Sequence, residues 1–240
     1  VDACTQNLKI AKTKSKILKN LGITKCENLI LLTCHRTENT DNPQRLKNIT
    51  TAITKLEEYT TVFPVHPRTR KYLKKCESWT EVSKNEHIIC TNPLGYFDFL
   101  LLLSKSRVVL TDSGGVQEEA ISLKIPCLTL RYSTERPETV ECGANILVND
   151  NQEKIIKYTR KIIEDKEFRN KMSTAANPYG DGDAGKKIAN ICHEKILNGL
   201  EYETPTYTER GTANYFLEET IWKKSRIQTI QLTNSFATST

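Results

Sequence analysis

The segment Arg107–Glu119 reads RVVLTDSGGVQEE. An apolar run ends in Thr-Asp-Ser-Gly-Gly, and a helical pattern begins directly after it. Small residues at such a turn let an anion approach the backbone, where the free N–H groups of a first helical turn point at it. Ser113 adds a hydroxyl donor beside Gly114 and Gly115, and Glu119, about one and a half turns into the helix, can accept from the hydroxyls of a sugar. The alternative is a tight strand-to-helix connection with Asp112 or Ser113 as N-cap.

Three further clusters follow strand-like runs. Thr33–Asn39 (TCHRTEN) offers His35 and Arg36 as donors to a diphosphate, and His35 can move a proton near neutral pH. Its alternative is a solvated loop in which Glu38 or Asp41 leads into the next helix. Pro64–Thr69 (PVHPRT) offers His66, with a structural histidine packed by two prolines as the equal alternative. In Thr134–Glu138 (TERPE) Arg136 either pairs bidentately with phosphate or is solvated, with Pro137 as the first helical residue. His87 and His193 read as surface residues, because neither has metal-ligand spacing with another His, Cys or carboxylate. Glycine-rich dinucleotide, Walker A and G-x-S-x-G sequences do not occur.

The elements that must position these residues alternate. Asn28–Cys34, Thr61–Val65, His87–Thr91, Arg107–Thr111, Pro126–Leu130 and Ala144–Val148 are strand-length runs without polar alternation, which suits strands buried on both faces of a parallel sheet. Helical patterns separate them at Asn42–Tyr59, Pro67–Cys76, Tyr96–Ser104, Val116–Leu123 and Glu135–Cys142, and continue at Gln152–Asp165 and Lys166–Ala176. A Lys-rich helix over Asp2–Asn20 precedes the first strand, and Asp183–Asn198 is a last helix. This alternation predicts an α/β, doubly wound, Rossmann-like domain. Its strand ends would present His-Arg, His, Ser-Gly-Gly and Arg on one electropositive edge, suited to a nucleotide or nucleotide sugar. Beyond Gly199 the pattern dissolves, and residues 200–240 read as an extension or weakly ordered tail.

Composition limits the alternatives. The net charge of +6 is compatible with an anionic ligand and too small to argue for nucleic acid by itself. The sharpest apolar run, Phe97–Leu103, is interrupted by Asp98 and is far below the ~20 residues of a membrane span. The eight cysteines include no C-x-x-C pair. They read as buried free thiols in a reducing, cytoplasmic setting rather than a disulfide or zinc framework.

Taken together, His35–Asn39 (HRTEN), Val65–Thr69 (VHPRT), Thr111–Glu119 (TDSGGVQEE) and Thr134–Glu138 (TERPE) resemble, in order and spacing, the non-hydrolysing UDP-N-acetylglucosamine 2-epimerases. The resemblance covers roughly residues 1–195. It implies the C-terminal half of a GT-B-like enzyme of two Rossmann-like domains: residues 1–21 as the crossover helix from an N-terminal domain outside this chain, and 22–199 as the UDP-binding domain. It further implies that Ser113, Gly114 and Gly115 hold the diphosphate and Glu119 the ribose. Leu94 and Phe99 lie beside the uracil, and Arg136 lies near the nucleotide. His35 is the catalytic residue at the reacting end, and Arg36 and His66 are regulatory contacts to a second substrate molecule. The implied reaction is inversion at C2 by elimination and re-addition of UDP. It needs no NAD and no metal, and its carboxylate acid/base residues lie in the N-terminal domain. The full-length family implies a homodimer. A non-catalytic UDP-sugar-binding module and a GT-B glycosyltransferase domain are the alternatives, and TERPE favours the epimerase over the transferase.

Overall fold

The computed structural model describes residues 1–197. Its contacts divide the chain into one unit over Val1–Ile191 and another from Cys192 onward; the fold below is that of the first. In chain order the elements are α1 (Asp2–Lys14), α2 (Ile17–Asn20), β1 (Leu29–Thr33), α3 (Thr37–Thr40), α4 (Pro43–Thr54), β2 (Thr60–Pro64), α5 (Pro67–Lys75), α6 (Ser78–Ser83) and β3 (Ile88–Thr91). There follow α7 (Tyr96–Lys105), β4 (Val108–Thr111), α8 (Gly114–Ser122), β5 (Cys127–Thr129), α9 (Pro137–Glu141), β6 (Asn145–Leu147), α10 (Gln152–Glu164), α11 (Lys166–Ser173) and α12 (Ala184–Leu197).

The six strands are all parallel, in the order β3-β2-β1-β4-β5-β6. The unbroken apolar runs are explained by two cores, one on each face. Alternate residues of β1 go to opposite sides: Ile30 and Leu32 join Phe63, Val108, Leu110 and Leu128 against α4, α5, α6, α10 and α11. Leu29 and Leu31 join Val62, Val109 and Cys127 against α1, α2, α7 and α8. All five residues of β1 are buried, at roughly 1.5–3 kcal/mol for each large aliphatic side chain. A polar substitution at Leu31, which is fully buried, would break one of these layers.

Three local expectations need correction. The first helix is not continuous to Asn20. Ser15 is extended (φ −79°, ψ 136°); its Oγ accepts from the Ile17 N–H at 3.2 Å and donates to Asp98 Oδ1 at 2.5 Å. The Asp98 that interrupts the apolar run of α7 is therefore the partner that pins the break. The short α6, entered through Glu77 at φ 60°, was missed because six residues hold too little periodicity to register. The thiols are free, but only Cys4, Cys34 and Cys127 are buried; Cys26, Cys76, Cys90 and Cys142 are half-buried and Cys192 is exposed.

Candidate functional site

In a parallel sheet all strands end on one edge, and this order places the topological switch between β1 and β4, because successive connections run outward in opposite directions from that pair. The four strand ends singled out in the sequence belong to β2, β1, β4 and β5, which are consecutive in the sheet. His66, His35-Arg36, Ser113–Gly115 and Arg136 therefore form one row along the carboxyl edge.

At the switch the registers pair Thr33 with Thr111, and their hydroxyls meet at 2.6 Å. The Thr111 Oγ1 also accepts from the Ser113 N–H at 3.0 Å, which sets the course of the turn into α8. Ser113 is the N-cap residue by position, but its side chain makes no cap bond. Neither Gly114 nor Gly115 adopts the left-handed conformation. A Cβ on Gly115 would meet nothing within 4 Å, and one on Gly114 would make ordinary contacts with Glu135 and Arg136. The fold itself does not demand glycine at either position, so their effect is to keep the space over the first helical turn empty and its N–H groups reachable.

Asp112 is not a cap. It is completely buried and accepts from the backbone N–H groups of His35 and Arg36, each at 2.9 Å, and from Asn39 Nδ2 at 3.1 Å. It thereby ties the β1 loop to the end of β4. Asn39 also donates to the Leu130 carbonyl at 2.9 Å, while its Oδ1 accepts from Arg45 Nε and Nη2 at 3.0 and 2.8 Å. Arg45, itself buried, pairs with Asp150 at 3.0 Å. The sequence by itself does not reveal this chain of contacts. The one available signal was a carboxylate where a buried strand ends; its partners lie more than 70 positions away and become visible only through the pairing of β1 with β4.

The outer residues are less free than their types suggest. His66 is the N-cap of α5, its Nδ1 accepting from the Arg68 N–H at 3.2 Å, and its ring lies 5.9 Å from that of His35. Arg36 reaches Glu135 at 3.6 Å, while its Nε is buried without a hydrogen-bond partner. Arg136 precedes α9, which starts at Pro137. Its Nε donates to Glu118 and its Nη1 to the Glu135 carbonyl. A ligand phosphate on Arg136 must therefore displace or share the Glu118 carboxylate. The loop carrying Arg136 is held from below by Gln117, whose Oε1 accepts from Thr134 Oγ1 at 2.6 Å and from Asn145 Nδ2 at 3.2 Å.

Leu94 and Phe99 are half-buried against the core on the α1–α7 side, so both serve the fold as well as the edge. Beside them, Tyr96 neighbours Glu119. Burial raises the Glu119 carboxyl above its ordinary value, and the neighbouring Tyr96 side chain offsets part of that rise. Among the described residues no group of His, Cys, Asp and Glu is arranged to hold a metal ion, and no helix is long and apolar enough to cross a membrane.

Comparison with known proteins covers most of this unit. The family described as UDP-N-acetylglucosamine 2-epimerase matches residues 1–193. A UDP-N-acetylglucosamine 2-epimerase of Methanocaldococcus jannaschii is 45% identical over 195 residues, which cover 80% of this chain and 52% of the relative. The solved structure of UDP-GlcNAc 2-epimerase from that organism superposes with a TM-score of 0.73 at 44% identity, over 80% of this chain and 53% of its own. The enzyme of Neisseria meningitidis, solved bound to UDP-GlcNAc, gives a TM-score of 0.68 at 32% identity, over 83% and 53%. A glycotransferase of kitacinnamycin, at 11% identity and a TM-score of 0.52, shares the fold. The chain spans about half the length of the curated relatives it matches.

Proposed function

Because the chain belongs to the UDP-N-acetylglucosamine 2-epimerase family, we propose that it is the UDP-binding half of an enzyme that interconverts UDP-GlcNAc and UDP-ManNAc. The observation that carries this reading is the row of donors on four consecutive strand ends, with an open helix start at its centre. In this reading residues 22–199 are the nucleotide domain and 1–21 arrive from a preceding domain, while the segment 200–240, read from the sequence as an extension or weakly ordered tail, lies outside the described residues. The active enzyme is a cytoplasmic homodimer.

The first-turn N–H groups of Gly114 and Gly115, together with the Ser113 hydroxyl, take the diphosphate, favoured by the helix dipole. Glu119 takes the ribose hydroxyls, and Leu94 and Phe99 flank the uracil. Arg136 gives up part of its contact with Glu118 to the nucleotide. His35 stands at the bond that breaks. Arg36 and His66, at the next strand ends, take a second substrate molecule. Loss of UDP from C1 builds charge on the departing diphosphate, and donors fixed before the reaction stabilise that charge without reorganising. Inversion at C2 also needs acid/base groups on both faces of that carbon, and one histidine cannot serve both. Those carboxylates come from the other half of the enzyme.

Two measurements test the reading. In calorimetry the 240-residue chain binds UDP. In heavy water the chain alone incorporates no deuterium at C2 of UDP-GlcNAc, and a supplied N-terminal domain restores exchange. Absence of UDP binding defeats the nucleotide assignment, and exchange by the chain alone defeats the placement of the carboxylates.

A further inference from the structure

The two oxygens of Asp112 are used differently. Oδ2 accepts three donors: the His35 N–H, the Arg36 N–H and Asn39 Nδ2. Oδ1 shares only the His35 N–H, at 3.1 Å, and lies 3.5 Å from His35 Nδ1. The orientation of Asn39 is not free, because Arg45 can only donate and so holds the Asn39 oxygen toward itself. The Asn39 amide nitrogen is thereby committed to Asp112, and Asp112 is held with one oxygen saturated and the other turned to the imidazole.

We propose that Asp112 is the positioning residue of His35: it keeps the ring proton on Nδ1 and leaves Nε2 as the nitrogen offered to the cleft. A neutral imidazole carries one ring proton, and the partner of each nitrogen decides where that proton sits. With the proton on Nδ1, an N–H faces a carboxylate. With the proton on Nε2, a ring lone pair faces carboxylate lone pairs. The 3.5 Å separation is longer than a formed hydrogen bond, but at that distance the carboxylate still favours a ring N–H over a ring lone pair facing it.

The other groups around the ring do not replace Asp112. His66, from the end of β2, stands 5.9 Å away between ring centres. Arg36 is drawn to Glu135, and Arg45 is paired with Asp150. The neighbouring Cys34 thiol is pushed well above its ordinary range, first by burial and then by Asp112 itself, so it stays neutral. In the proposed epimerase, on which only this last step rests, Nε2 then meets the diphosphate oxygen. It does so as a donor when the ring carries both protons, the Nδ1–H facing the buried carboxylate behind it.

The test reads the tautomer directly and requires neither turnover nor nucleotide. The 240-residue chain is labelled with 15N-histidine, and long-range proton–nitrogen correlation spectra are recorded where the rings are neutral. His35→Gln identifies the His35 signals among the four histidines. The expected result is a protonated Nδ1 and a bare Nε2. In Asp112→Asn the amide oxygen stays with the three donors and its NH2 turns toward Nδ1, so the pattern inverts to a protonated Nε2. A His35 proton on Nε2 in the unsubstituted chain overturns the proposal, as does an unchanged tautomer in Asp112→Asn. If that variant does not fold, the spectrum of the unsubstituted chain still decides. The UDP titration tests the epimerase reading separately.

Discussion

Helices α8 and α10 both begin just beyond the carboxyl end of a strand, and they treat their first N–H groups in opposite ways. At α10, Asn151 caps the helix, its Oδ1 accepting from the Lys154 N–H at 2.8 Å. At α8 the cap residue Ser113 makes no such bond, and the first two helical residues are glycines that neither a positive φ nor crowding requires. Uncapped donors and helical glycines each lower stability, the glycines by roughly 0.5–1 kcal/mol apiece relative to alanine. The first arrangement completes the fold. The second leaves the helix start open, as the proposed diphosphate site requires, and it lies at the switch between β1 and β4, whereas α10 follows the edge strand β6.

The comparison breaks most visibly at Gly115. A valine side chain there enters empty space in the chain and occupied space in a nucleotide complex. Gly115→Val lowers UDP affinity by on the order of 100-fold, equivalent to about 2.7 kcal/mol, with an unchanged circular dichroism spectrum. Gly115→Ala isolates the stability side: it raises the unfolding free energy by roughly 0.4–1 kcal/mol while weakening UDP. Unchanged affinity in both variants would remove α8 from the nucleotide site.

A smaller effect separates the two caps. Asn151→Ala loses about 1 kcal/mol of stability in denaturant titration and leaves UDP binding intact. Ser113→Ala, with no cap bond to lose, stays within about 0.5 kcal/mol and weakens UDP instead. A loss at Ser113 as large as that at Asn151 would mean that α8 is closed like α10.

The smallest effect is the pH dependence of Glu119 on α8. Burial raises its carboxyl above the ordinary value of 4.5, so the folded chain holds the proton more tightly than the unfolded one. The resulting stability is complete below about pH 4.5 and is lost as pH climbs through the raised folded value. Glu119→Gln removes that loss, so its melting temperature gains on the parent chain as pH rises from roughly 4 to 7. A constant offset across that range would show that the carboxyl is not shifted.

Much of this site was legible one segment at a time. The apolar runs located six parallel strands because strands buried on both faces need no polar alternation, and the Ser-Gly-Gly turn, His35, His66 and Arg136 stood out because each follows such a run. Asp112 did not stand out. An acidic residue before a serine reads as a cap, and only the adjacency of β1 and β4 makes it a bridge. Likewise Arg136 reads as a free cation until the fold brings Glu118 beside it.

Local patterning by itself determined the class of fold, the elements and the set of polar groups at strand ends, because burial on two faces and turn chemistry are properties of neighbouring residues. Tertiary structure alone decided which strand ends stand side by side, which cations are already paired and which nitrogen of His35 faces a carboxylate. Those depend on strand order, and strand order is set by how helices pack on two faces of a sheet, between residues too distant in the chain for any periodicity to connect.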